Sequence, residues 1–422
     1  MTAVTAGHIA GASSASDRAA SRVFIHLAFI TCLCLQRFGF LIGDSALFLS
    51  LPVFALMVFW AFMTGFGELR THVATLYALF AATALTSTLI ALLAPDPRFG
   101  TSITSLGSIL VSYVLITIGP GTRFDRAQVL PIFMVYVRLC AVLGIAQYFA
   151  QFAGFQAFSF LKLVPALEPV LVERLFNHEP IMGYGSTIMR SNGFFLIEPS
   201  TFSQILVLGF VIDFFILRRL VWLPLYVAAY LFSNSGTGLL VLGIGLVLYA
   251  LVDWRKLGQL AAFLVLASVL LIAATFLFPD QIAAITGRAD EIGSNRSSGY
   301  IRYLAQFDLI GRYGGELRAL IGWGPGAMER ADGFVRGSGN PSFKLFIDYG
   351  LMGLIAFWSF LASTVWRRDI VLVPIMLLVQ FQLGGGSLLF SPLLVLIAML
   401  CIWSGAPPQG VNPSRPFARA RP

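Results

Sequence analysis

The chain has 422 residues, 58% of them hydrophobic and only 11% charged, with a mean hydropathy of +0.84 and a net charge of +8. Soluble domains carry about 25% charged residues, so a water-soluble enzyme, a disordered regulator and a disulfide-stapled secreted module are excluded, because none could keep this surface solvated. The basic balance fits arginines gathered on one side of a bilayer better than a nucleic-acid partner.

In chain order, apolar stretches long enough to be considered for a crossing run over 23–41, 46–63, 73–94, 102–118, 129–153, 200–217, 220–232, 236–252, 258–278, 343–366, 370–383 and 388–403. A crossing needs roughly 20 mostly apolar residues, so the expectation is an all-α polytopic membrane protein with about 12 transmembrane helices. The stretches 220–232 and 370–383 are the shortest of them. One side carries fourteen Lys and Arg in its short connections and tails, against Arg98 alone in the short connections of the other. Basic residues resist translocation, which places both termini in the cytoplasm. Residues 1–22 are expected as a disordered cytoplasmic tail, without the apolar run of a signal peptide. Residues 23–403 form the membrane domain, and 404–422 a basic cytoplasmic tail. Cys32, Cys34, Cys140 and Cys401 all lie inside apolar stretches and read as small buried hydrophobes.

Two connections are long, about 154–199 and 279–342, and both fall on the outer side. The first ends in Arg190-Ser191-Asn192-Gly193-Phe194-Phe195-Leu196-Ile197-Glu198-Pro199-Ser200. Its arginine offers a planar fork for phosphate oxygens. Glu198-Pro199 has the form of a helix start, so Glu198 is either a cap or a functional acid. The second loop is rich in both arginines and acids, which an anionic ligand or a salt-bridged loop would each explain. Within it, 297–310 has helical periodicity and carries Tyr300 and Arg302, with Ser297 or Ser298 as its cap. Gly322-Trp323-Gly324-Pro325-Gly326 lacks the lysine of a phosphate loop and reads as a turn. Arg37, Arg138 and Asp213 lie within apolar stretches, with Asp348 close to an interface. Charge at such depth requires pairing, water or snorkelling, the last being open to Arg37 and Asp213 near the ends of their stretches. Of the four histidines only His178 sits in a long outer loop. No metal cluster, nucleophile elbow or dinucleotide fingerprint is present, and neither a cofactor nor a metal is expected.

In order and placement these features resemble the O-antigen polymerase and ligase superfamily, and within it the exopolysaccharide repeat-unit polymerases. The resemblance rests on 190–200, on Ser233-Asn234-Ser235-Gly236-Thr237-Gly238, on 322–326, and on Asn340-Pro341-Ser342-Phe343-Lys344-Leu345-Phe346-Ile347-Asp348-Tyr349-Gly350-Leu351-Met352-Gly353. It implies a metal-independent glycosyltransferase of the inner membrane that joins undecaprenyl-diphosphate-linked repeat units at the periplasmic face. A flippase and a chain-length regulator are implied partners. Arg190 and Arg302 match family arginines as phosphate contacts, with Arg336, Asn340, Tyr300 and Arg138 as further substrate contacts. Gly339 stands where ligases commonly carry a functional histidine before the asparagine, and 233–238 has Gly and Thr where many members carry Arg. Both departures favour a polymerase over a ligase. They leave Glu198, Asp332 and His178 as candidate general bases, Glu198 first. A transporter or flippase is the alternative from another class.

Overall fold

The computed structural model describes residues 14–42, 45–176, 180–182, 186–277, 279, 305–331, 339–367 and 369–405. Each of the twelve apolar stretches holds a helix. Five helices are long and apolar enough to cross a membrane: Thr71–Leu93, Arg126–Ala153, Pro199–Leu217, Leu257–Leu277 and Pro341–Val365. Six shorter apolar helices of 10–17 residues accompany them among the described residues. At 1.5 Å per residue the longest of these six spans about 24 Å, less than the hydrocarbon layer.

Helix α1 (Ala15–Phe29) begins eight residues before the expected edge of the first span, within the stretch expected as tail. The reason is local: the Ser14 hydroxyl accepts the Asp17 N–H at 3.1 Å, and Asp17 then pairs with Arg123 at 2.7 Å. Its buried residues Ser21, Phe24, Ile25, Ala28 and Phe29 form one face at helical spacing. A π-turn (Ile30–Cys34) follows, and the apolar run then becomes the antiparallel hairpin of β1 (Gly39–Ile42) and β2 (Ser45–Phe48) rather than more helix. After α2 (Ser50–Met63), strand β3 (Gly67–Leu69) pairs with β4 (Ile118–Pro120) across α3 (Thr71–Leu93) and α4 (Ile103–Val114). Helix α5 (Val129–Ala150) leads into the first long loop, which contains the single turn α6 (Phe160–Leu163).

The second half comprises α7 (Pro199–Val211), α8 (Leu223–Ser233), α9 (Thr237–Val252) and α10 (Leu257–Leu277), then α11 (Ala305–Tyr313) in the second loop. Helices α12 (Pro341–Val365), α13 (Leu372–Leu383) and α14 (Ser391–Ile397) complete the bundle. Helix α12 packs on α3, α13 and α7 on α9, and α5 on α8. Every residue of α14 and of the π-turn that extends it (Ala398–Trp403) is buried, as expected of a segment apolar on all sides at the centre of a bundle. Helix α10 is its opposite, with Leu264, Val265, Val269 and Leu271 exposed along its length.

The two ends of the bundle differ. At one end arginines staple connections together: Arg70 Nη1 donates to the Thr364 carbonyl at 3.1 Å, Arg367 binds Ser404, and Gly405 N–H donates to the Arg126 carbonyl at 2.9 Å. At the other end lie the described parts of both long loops.

Candidate functional site

The first loop is fastened by residues far away in sequence. Arg37 leaves the π-turn of α1 and is covered completely, with 1% of its side chain exposed. Its Nη1 meets Glu173 at 2.6 Å and the Phe158 carbonyl at 2.9 Å, while Nε donates to the Leu196 carbonyl at 3.1 Å. Arg37 therefore does not snorkel; the loop folds over it. Glu173 also accepts the Ser159 hydroxyl at 2.6 Å and the Phe160 N–H at 3.0 Å. Burial pushes this carboxyl up, but the Arg37 charge and these donors prevail and hold it below the usual range. Beside it, Gln36 Oε1 accepts the Ile197 N–H at 2.9 Å.

From α5, Gln147 donates to Asn192 Oδ1 at 2.9 Å and to the Ala157 carbonyl at 2.7 Å, and accepts the Ser191 hydroxyl at 3.0 Å. Ser191 N–H in turn donates to the Phe232 carbonyl of α8 at 2.9 Å. Gly193 and Phe194 both take positive φ, 72° and 67°, and reverse the chain toward α7. The consequence for function is positional: half-buried Arg190 stands next to the end of α8, and half-buried Glu198 at the start of α7. Glu198 occupies the N-cap position with Pro199 after it, as the sequence suggests. Its carboxylate, however, accepts the Ser200 hydroxyl at 2.8 Å rather than a backbone N–H. Asn234 follows α8 in left-handed conformation, φ 42°, with both side-chain polar atoms buried and unpartnered among the described residues.

The second loop is fastened at a broken helix. Gly350, with φ 68°, interrupts α12, and the Gly322–Gly326 turn inserts its backbone there. Trp323 N–H donates to the Ile347 carbonyl and Gly324 N–H to the Asp348 carbonyl, each at 2.9 Å. A Cβ at Gly350 would lie 2.5 Å from Ile321 backbone atoms, and one at Gly322 equally close to the Asp348 carbonyl. The Asp348 carboxylate accepts the N–H groups of Gly326 at 2.9 Å and Met328 at 3.1 Å. Lys344 bridges it to Glu329, at 2.8 and 2.7 Å. These contacts make the Gly-rich segment the turn that its sequence suggests, and they give Asp348, expected near an interface, a buried partner in Lys344. Other second-loop charges are structural too: Arg98 pairs with Glu316 at 2.7 Å, and Arg318 donates to the Ala94 carbonyl at 2.8 Å.

Asn340 caps α12: its Oδ1 accepts the Phe343 N–H at 3.2 Å and Gln382 Nε2 at 3.0 Å. Gly386 N–H to the Gly339 carbonyl, 3.1 Å, joins this cap to the turn before α14. Arg138 is elsewhere. It lies nine residues before Gln147 on α5, roughly 13 Å away along the axis, and is paired with fully buried Asp213 at 2.8 Å. Tyr226 OH also donates to Asp213 at 2.7 Å, and Trp222 covers the guanidinium at 4.3 Å. Arg138 thus meets the need for pairing at its depth through Asp213, and Asp213, to which snorkelling is open by sequence position, is fully buried. His178, Tyr300, Arg302, Asp332 and Arg336, with the caps Ser297 and Ser298, lie outside the described residues.

Sequence reasoning missed Glu173, Gln147, Lys344 and Glu329. Only the Lys344–Asp348 spacing of four on a helix signals a pair in advance. Among the described residues no group of three or more His, Cys, Asp or Glu side chains is assembled for a metal. Neither protein-family models nor curated proteins match the chain.

Proposed function

We propose that this chain is a polymerase of undecaprenyl-diphosphate-linked oligosaccharide repeat units, forming exopolysaccharide or O-antigen at the periplasmic face of the inner membrane, with about twelve crossings and both termini cytoplasmic. The observation that carries the reading is the rigid seating of 190–200, which holds a guanidinium and a carboxylate at helix ends on the end of the bundle that carries both long loops. In the reaction the bond between the sugar's anomeric carbon and the diphosphate oxygen breaks, and a bond to the acceptor hydroxyl forms. Negative charge grows on the departing diphosphate, where Arg190 supplies charged donors from a backbone that is held in place. The acceptor's proton passes to Glu198, whose bond to the Ser200 hydroxyl is of the kind such an acceptor would make. Arg302 is assigned a second phosphate contact by resemblance.

The test is reconstitution of the purified protein with a lipid-linked repeat unit, reading product length. A ladder from repeat units alone supports the polymerase; product only after a distinct acceptor lipid is added replaces it with a ligase. A second reading, a transporter, draws on the broken helix α12 and its buried charges, a feature of transporter folds. Substrate movement without new glycosidic bonds would favour it.

A further inference from the structure

At the arginine-rich end, α7 closes in a π-turn (Ile212–Leu217) and stops at Arg218, which takes the left-handed conformation at φ 54°. That position usually holds Gly or Asn, and here it turns a long cation out at the helix end. Arg218 is exposed and makes no ion pair among the described residues, since Asp213, the carboxylate of the same turn, is committed to Arg138. Opposite it stands α10, attached to α7 through Phe263, which packs against Phe210, Phe214 and Phe215 at ring separations of 5.3 to 5.6 Å. Between the two helices is a crevice of about 250 Å³ lined by Phe214, Phe215, Leu220 and Ala262, with Arg218 and Gln259 as its polar groups.

We infer that this crevice binds an anionic phospholipid, its phosphate on Arg218 and Gln259 and an acyl chain along Phe214, Phe215 and Ala262. The pairing follows from charge complementarity: a guanidinium with no ion pair among the described residues borders an apolar slot, and Arg219 and Arg255, in the turns next to α7 and α10, add positive charge at the same end. A zwitterionic lipid fills the slot equally well but offers no net charge, and a free phosphate satisfies the cation but not the slot. The site is independent of the glycan reading and of its two loops.

The experiment is native mass spectrometry of delipidated full-length protein in non-ionic detergent, titrated with phosphatidylglycerol, phosphatidylcholine or inorganic phosphate. Phosphatidylglycerol should bind about fivefold tighter than phosphatidylcholine, the preference expected of one arginine near a membrane surface. Arg218→Gln should abolish that preference. Ala262→Phe, at an exposed position, should weaken both lipids by a similar factor. An unchanged preference in Arg218→Gln, normal lipid binding by Ala262→Phe, or phosphate binding as tight as that of phosphatidylglycerol would each overturn the assignment.

Discussion

The described parts of the two long loops sit at the same end of the bundle but are held by different means. The first is clamped chiefly by side chains, with a few backbone bonds beside them: one buried, balanced ion pair, Arg37–Glu173, and the amides of Gln36 and Gln147, all reaching the loop from intact or finished helices. The second is clamped by backbone, its Gly-rich turn threaded into a break in α12 and sealed by two carboxylates around one lysine. The difference teaches where each loop is vulnerable. Removing one partner from the first leaves a full charge in a dry site. The second has a spare, because Glu329, with 44% of its side chain exposed, still serves Lys344 if Asp348 is neutralised.

The largest effect is therefore expected from Glu173→Ala, which strands Arg37 and should cost about 3–5 kcal/mol. Thermal unfolding in detergent, with proteolysis of the first loop as a local probe, checks it; a loss below that of Asp348→Asn would reverse the comparison. Asp348→Asn should cost about 2 kcal/mol, the scale of hydrogen bonds to a charged group, and should expose the second loop to protease while sparing the first. Acid should loosen the first loop through Glu173. Glu173 is held below the ordinary carboxylate range, so its stabilisation is full above the usual glutamate value and is lost as pH falls below it. Glu173→Gln should remove that acid dependence from a pH series of first-loop proteolysis. Smallest in stability is Glu198→Gln, within about 0.5 kcal/mol for a half-exposed position, yet it should lower polymer formation by roughly 10²-fold or more if the carboxylate takes the proton. Full activity at normal abundance would remove that role.

Much of the helical frame is legible in the sequence because apolar run length carries it. Glu198-Pro199 marks the start of α7, and 322–326 is the turn its glycines suggest. The hairpin at 39–48 is not legible, because a continuous apolar run suits strand and helix alike. Nor are the π-turns, which break the 3.6-residue period without changing composition. The fastening of the loops is least legible of all. Arg37 and Glu173 are separated by 136 positions, and nothing local announces either as the other's counterion. A break at Gly350 leaves no mark in hydropathy, since glycine passes unnoticed in an apolar stretch.

In the proposed reaction 190–200 is held in place to work on a lipid diphosphate. The most direct measurement is chain length made from lipid-linked repeat units by reconstituted Arg190→Ala beside wild type, with melting temperature read on the same samples. A collapsed product ladder at an unchanged melting temperature is the predicted result. A full-length ladder from Arg190→Ala would contradict that role for Arg190.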